Sequence, residues 1–253
     1  VLAQLVRDIG DAGGEAIAVA ADVADRQQVE RVAEAAIRRF GRIDTWINNA
    51  GVTIYGRLEE VGEQDSRRLF DTNFWGVVNG SLAALPHLRA GGGALINVGS
   101  EVSEAIIPLQ GMYSASKHAV KGFTDALRLE LDVDKAPVSV TLIQPTATDT
   151  PFPQNAKNYM DREPKLPTPQ LDPQEVADTI LKAATESTRE ARVGAMSKLN
   201  TTVAKLAPRL GDKMAAMQLN RQQYDEPPRN PDGALYVASE SGRIYGSGPL
   251  KGD

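Results

Sequence analysis

Short apolar runs of strand length alternate with amphipathic helical stretches through most of this chain, and few architectures accept that order. Strand then helix, repeated, builds parallel strands whose two faces are covered by the crossover helices. Residues 15–20 read as a short strand. Asp25, with Gln28 three residues on, resembles a capping box for a helix carrying Val29, Val32, Ala36, Ile37 and Phe40 at helical spacing, closed by Gly41. A strand over 43–47 leads into the turn Asn48-Asn49-Ala50-Gly51. The helical stretch 63–89 is interrupted at Gly76 and Gly80, and Gly91-Gly92-Gly93 punctuates before a buried strand over 94–98 that runs into Ser100. The helix holding Tyr113 turns Val120, Phe123, Leu127 and Leu131 inward, and 138–143 is a further strand. Asp172-Pro173-Gln174-Glu175 is a capped helix start, and 192–194 an edge strand. The expected class is α/β, a doubly wound parallel sheet that binds ligands at the carboxyl ends of its strands.

A chain of 253 residues suffices for one such domain with an appendage. The domain is expected over 1–195 and a C-terminal extension over 196–253. That extension reads as helical in parts to 224, with Leu199, Val203, Leu206 and Leu210 at near-helical steps, then as loop with one small strand over 234–237. The glycine-rich run from Gly246 to Gly252 precedes no helix and holds Pro249, so it is no phosphate loop. With 28 basic and 33 acidic residues there is no nucleic-acid footprint. The absence of cysteine excludes disulfides, zinc–thiolate sites and cysteine nucleophiles, and it fits the expected cytoplasmic location. His87 and His118 lack ligand spacing, and no metal site is expected. No apolar run approaches the roughly 20 residues of a membrane-spanning helix, and no secretory leader is expected. Trp46 and Trp75 read as packing residues, and Arg38-Arg39 and Arg67-Arg68 as solvated helix faces.

Within this frame, Ser100, Tyr113 and Lys117 stand thirteen and then four residues apart. On a helix the second step stacks tyrosine and lysine on one face, about one turn apart. An ammonium beside a phenol favours the phenolate, which would bring an ordinary tyrosine pKa of about 10 nearer neutrality. Ser100 would hold a carbonyl or alcohol oxygen beside that phenol, with Ser103 as a weaker rival. The pattern suits hydride transfer at a carbon–oxygen bond.

Four further features follow in order: Asp22-Val23 after one strand-like run, Asn48-Asn49-Ala50-Gly51 after another, Asn73 in a helix, and 145–150 after a third strand. Together they resemble the short-chain dehydrogenase/reductase family over 1–194. The resemblance implies a Rossmann-type sheet and an oxidoreductase using NAD or NADP on a small carbonyl or secondary-alcohol substrate. It implies Tyr113 as general acid/base, Ser100 as orienting hydroxyl, and Lys117 as the group that tunes Tyr113 and bonds the nicotinamide ribose. Asn73 would support a proton-relay water. Asp22 would contact adenine, Val23 pack on it, and Asn49, Ala50 and Gly51 shape the turn beneath the adenosine. Pro145, Thr148 and Thr150 would receive the nicotinamide carboxamide, although Thr146 stands where the family has glycine. The substrate wall is expected from 101–111 and 151–170.

The family's opening Thr-Gly-x-x-x-Gly-x-Gly turn is not in the sequence. A strand–helix–strand unit, roughly 30 residues or more, is therefore expected to be missing ahead of the first helix. Family members also pair through their long helices, which implies a homo-oligomer. Two rival readings stay open on the sequence: a truncated, non-catalytic paralogue, and a scaffold whose helices serve as an oligomer interface.

Overall fold

A computed structural model describes residues 1–239 and 242–246. Four parallel strands form the main sheet: β1 (Thr45–Asn48), β3 (Gly93–Val98), β4 (Val138–Pro145) and β6 (Glu190–Val193), in the order β1-β3-β4-β6. Two residue pairs, β2 (Ile54–Tyr55) and β5 (Lys157–Asn158), make a small second parallel sheet. The helices are α1 (Leu2–Asp11), α2 (Arg26–Phe40), α3 (Glu63–Phe70), α4 (Gly76–Gly91), α5 (Gly111–Val133), α6 (Pro173–Thr185), α7 (Ala195–Leu206) and α8 (Pro208–Gln218).

Side-chain alternation along the strands splits the core into two layers. Leu95, Val138 and Val140 meet Ala33, Ala84, Leu88, Leu127 and Leu131 from α2, α4 and α5. Ala94, Ile96 and Ile143 face the other way, onto Ala183 of α6 and Val193. The expected stripe on α5 is therefore real, with Val120, Leu127 and Leu131 all buried. Gly80 allows α4 to lie directly on β1, because a Cβ there would collide with the side chains of Trp46 and Asn48. At that approach Asn48 accepts from Trp46 Nε1 (2.8 Å) and donates to Asn97 Oδ1 (2.8 Å), and Asn97 donates to Thr124 Oγ1 of α5 (2.9 Å). A chain of amides thus crosses the sheet with its buried polar atoms satisfied.

Several local expectations are corrected. Residues 15–20 make no ladder: no described strand lies beside them, and a strand exists only through a neighbour's backbone groups. Asp25 does cap α2, accepting from Gln28 N–H, but the Gln28 amide bonds the Asp25 carboxylate and the Asp22 N–H rather than the cap's own N–H. The helical stretch after 63 is not broken at its glycines. It runs α3 to α4 through a π-helical turn, Asp71–Trp75. Trp75 is half exposed, touching Phe74 edge-on.

The segment beyond 195 packs back over the carboxyl end of the sheet, by a face other than the expected one. Leu199, Leu206 and Leu210 are exposed, whereas Ser197 and Thr201 are buried. Their small hydroxyls let α7 approach β4 closely, and Ser197 donates to the Gln144 carbonyl at 2.7 Å. Residues 234–237 form no strand. Leu235 is instead a buried anchor whose carbonyl accepts from Arg68 at 3.1 Å. Of the late glycine-rich run, all but Gly246 lies outside the described residues. No helix among the described residues is long and apolar enough to cross a membrane.

Candidate active site

A cleft of about 830 Å³ opens at the carboxyl ends of β1, β3 and β4. Its walls include Asn49, Ala50 and Gly51 after β1, Ser100 after β3, Tyr113 and Lys117 from α5, and Pro145, Thr146, Thr148 and Thr150 at and beyond the end of β4. Most of the residues named from sequence therefore meet in one cavity.

Ser100 caps a single 3₁₀ turn, Glu101–Ser103: its hydroxyl accepts from Val102 N–H (3.3 Å), and Ser103 Oγ accepts from Ser100 N–H (3.2 Å). Ser103 is buried and committed to that bond, so it fixes Ser100 rather than competing with it. Tyr113 is buried in an apolar cluster with Ile54, Leu69, Val102 and Leu235. Its phenol is pushed up to about 12, chiefly by burial; a hydrogen bond with Ser100 pulls it down and the Glu101 charge pushes it up. Lys117 donates to the Val98 carbonyl (2.8 Å) and lies 5.8 Å from the Tyr113 ring centroid. Burial pushes its ammonium down to about 8. The expected electrostatics are thus reversed. Exclusion of water drives both groups toward their neutral forms and outweighs the attraction between ammonium and phenolate.

Asn73 sits in the π-helical turn, a distortion frequent at functional positions. Its Oδ1 accepts from Val52 N–H (2.8 Å); its Nδ2 donates to the Val52 carbonyl (2.9 Å) and to Ser116 Oγ (3.0 Å). Ser116 donates onward to the Tyr113 carbonyl at 2.7 Å. Ser116 escaped the sequence reading, although three residues beyond Tyr113 on a helix places it on the same face. A Cβ on Gly51 would come 3.5 Å from Asn73 Oδ1 and 3.7 Å from Lys117 Nζ.

Asp22 and Val23 stand apart from the cleft. Val23 lines a smaller neighbouring hollow that shares Ile47, Asn49 and Ala50 with it, and its carbonyl accepts from Asn79 of α4 (3.0 Å). The Asp22 carboxylate pairs with Arg68 at 2.9 Å and accepts from Ala24 N–H at 3.1 Å. Arg68, expected as a solvated cation, is mostly covered because it joins Asp22 to the Leu235 carbonyl. Thr146 bonds Glu101, which Asn200 of α7 also reaches (2.9 Å); burial raises the Glu101 carboxyl. Gln110, buried at the start of α5, accepts from Thr53 and donates to Gln222, which in turn donates to the Pro108 carbonyl. These amide links from the C-terminal segment were invisible in a sequence separation of 112 residues.

The short chain dehydrogenase family model matches residues 1–161. A Bacillus subtilis protein named as an uncharacterized oxidoreductase, YxnA, is 41% identical over 242 residues, covering 94% of this chain and 68% of its own. A solved short chain dehydrogenase/reductase from Burkholderia phymatum, in complex with NAD, superposes with a TM-score of 0.71 at 26% identity, over 81% of this chain and 82% of that one. An alcohol dehydrogenase from the archaeon Thermococcus sibiricus, complexed with 5-hydroxy-NADP, gives 0.66 at 25% identity, over 76% and 80%. The sheet order, the cleft and these likenesses agree: the chain belongs to the short-chain dehydrogenase family.

Proposed function

We propose that the chain is an NAD(P)-dependent oxidoreductase that interconverts a carbonyl and a secondary alcohol, with Tyr113 as general acid/base. The observation that carries this reading is the convergence of Ser100, Tyr113 and Lys117 on one cleft, with Tyr113 and Ser100 hydrogen-bonded. The nicotinamide–ribose end of the cofactor fits these residues: Gly51 leaves the approach to Asn73 Oδ1 and Lys117 Nζ free of side chain. Lys117 would hold the ribose, Pro145, Thr148 and Thr150 the carboxamide, Asn49 to Gly51 the turn below, and Asp22 and Val23 the adenine end. When bound, the cofactor supplies or accepts the hydride.

The chain's own groups handle the proton. Ser100 orients the substrate oxygen against the phenol; Tyr113 gives that oxygen a proton in reduction and takes it back in oxidation. Lys117 restores the charge balance beside the phenol. Asn73 has both amide protons engaged and keeps one lone pair of Oδ1 for a relay water. The reading concerns the reacting end of the cofactor.

We also propose the division at 195 into sheet domain and extension, and pairing of copies into a homo-oligomer. The test is to titrate the purified chain into NADH and NADPH separately, following reduced-nicotinamide fluorescence, and then to screen ketones and alcohols with whichever binds. Saturable binding and turnover support the reading; absence of both rejects it.

A further inference from the structure

Beside the main cleft lies a second cavity of about 200 Å³, built largely by residues beyond those the family model matches. Helices α7 and α8 roof it, through Met196, Val203, Ala204, Met214 and Ala215 among others. Six residues, Glu101, Val102, Ile107, Thr146, Ala147 and Pro167, line both this annex and the cleft. The two spaces therefore meet at the wall that begins one residue past Ser100.

The wall chemistry is mostly apolar, and its polar groups at the shared boundary are already spoken for. Glu101 takes hydrogen bonds from Asn200 and Thr146. The roof is also fixed in place. Lys205 of α7 pairs with Glu104 at 2.8 Å, and α8 packs on α7 with Gly211 beside Val203 and Ala204.

Resting on the oxidoreductase reading, we propose that the annex seats the apolar tail of the substrate, whose carbonyl or carbinol carbon lies at Tyr113. The preferred substrates are then ketones and secondary alcohols bearing an unbranched alkyl chain, and α7 and α8 set the chain length. The space is too small for a nucleotide and suits a short hydrocarbon segment.

The test uses the full chain and a homologous series of 2-alkanones from butanone to dodecan-2-one. Turnover is measured as kcat/KM, and binding of the matching 2-alkanols by calorimetric titration. Each methylene entering the annex should raise both by about fourfold until the space is full. Ala215→Phe fills the annex and should abolish that gain while leaving butanone turnover unchanged; Met214→Ala enlarges it and should move the optimum to longer chains. Thermal melts report whether each variant folds, and the two variants act in opposite directions. A chain-length response that is flat in both readouts, or unchanged in both folded variants, overturns the annex. Length-dependent binding without any turnover supports the annex and overturns the oxidoreductase reading instead.

Discussion

The carboxamide of Asn73 brackets Val52 from both sides, accepting its N–H at 2.8 Å and donating to its carbonyl at 2.9 Å. One side chain thereby does for Val52 what a neighbouring strand would do, immediately after the turn that ends at Gly51. The same amide reaches Ser116 and, through it, the Tyr113 carbonyl. The loop that follows β1 and the helix carrying the phenol are thus tied together by one fully buried residue.

Removing that amide should therefore strike stability and turnover together. Asn73→Ala leaves two backbone groups of Val52 without partners, at a cost of about 1–3 kcal/mol for each that stays dry. We expect a destabilisation of roughly 2–4 kcal/mol in denaturant melts and a large loss of kcat. Asn73→Ser, which keeps one hydroxyl, should recover part of the stability. A variant as stable as the parent would refute the bracket.

Lys117 carries a different signature, readable against pH. Its pKa lies near 10.5 when unfolded and is lowered to about 8 in the folded chain. Between those values the unfolded state binds more protons, so stability rises with pH across that window, and the cost of burying the ammonium is fully present below about 8. The shift corresponds to roughly 3 kcal/mol. Lys117→Met removes this cost but strips the Val98 carbonyl of its donor, worth about 1–3 kcal/mol, so melting at one pH does not isolate the effect. The slope does: the parent should gain on the variant between pH 8 and the onset of tyrosine ionisation near 10. Parallel stability curves would contradict the burial argument.

The fold and the centre of the site were legible because they depend on local rules. Short apolar runs located β3 and β4, helical spacing located the core face of α5, and a four-residue step on a helix put Tyr113 and Lys117 together. The misreadings have a common cause in long-range contacts. Residues 15–20 have strand composition, but ladder bonds depend on a neighbour. The leucines of α7 have the right spacing, but the surface available to the helix is the tight end of β4, which admits Ser197 and Thr201 instead. The phenol's raised pKa follows from how much water the surrounding segments exclude, and Leu235, packed in the Tyr113 cluster, is 122 residues away.

Arg68 joins two such distant pieces, the Asp22 carboxylate at 2.9 Å and the Leu235 carbonyl at 3.1 Å. Nearby, Asp65 accepts from both Tyr159 (2.7 Å) and Tyr236 (2.6 Å), a second clasp on the same stretch. Arg68→Met should free Asp22 and loosen the end of the chain together. We expect KM for the cofactor to rise several-fold with kcat little changed, and limited proteolysis to cut faster around 234–239. Unchanged KM would separate Asp22 from the adenine end of the cofactor.

The phenol itself sets the sharpest expectation, because the two roles proposed for it call for opposite protonation states. With its pKa pushed up to about 12, Tyr113 is protonated throughout the neutral range in the free chain. Reduction of a carbonyl draws on the protonated phenol, so its kcat/KM should carry no slope from Tyr113 through neutrality. Oxidation of an alcohol needs the phenolate, whose fraction grows about tenfold per pH unit below the pKa, and its kcat/KM should climb accordingly. Tyr113→Phe should abolish both directions, by about 10²–10⁴-fold or more, while leaving nicotinamide fluorescence titrations largely intact. Equal pH dependence in the two directions would contradict a phenol held protonated by burial, and normal turnover in Tyr113→Phe would move the acid/base role elsewhere.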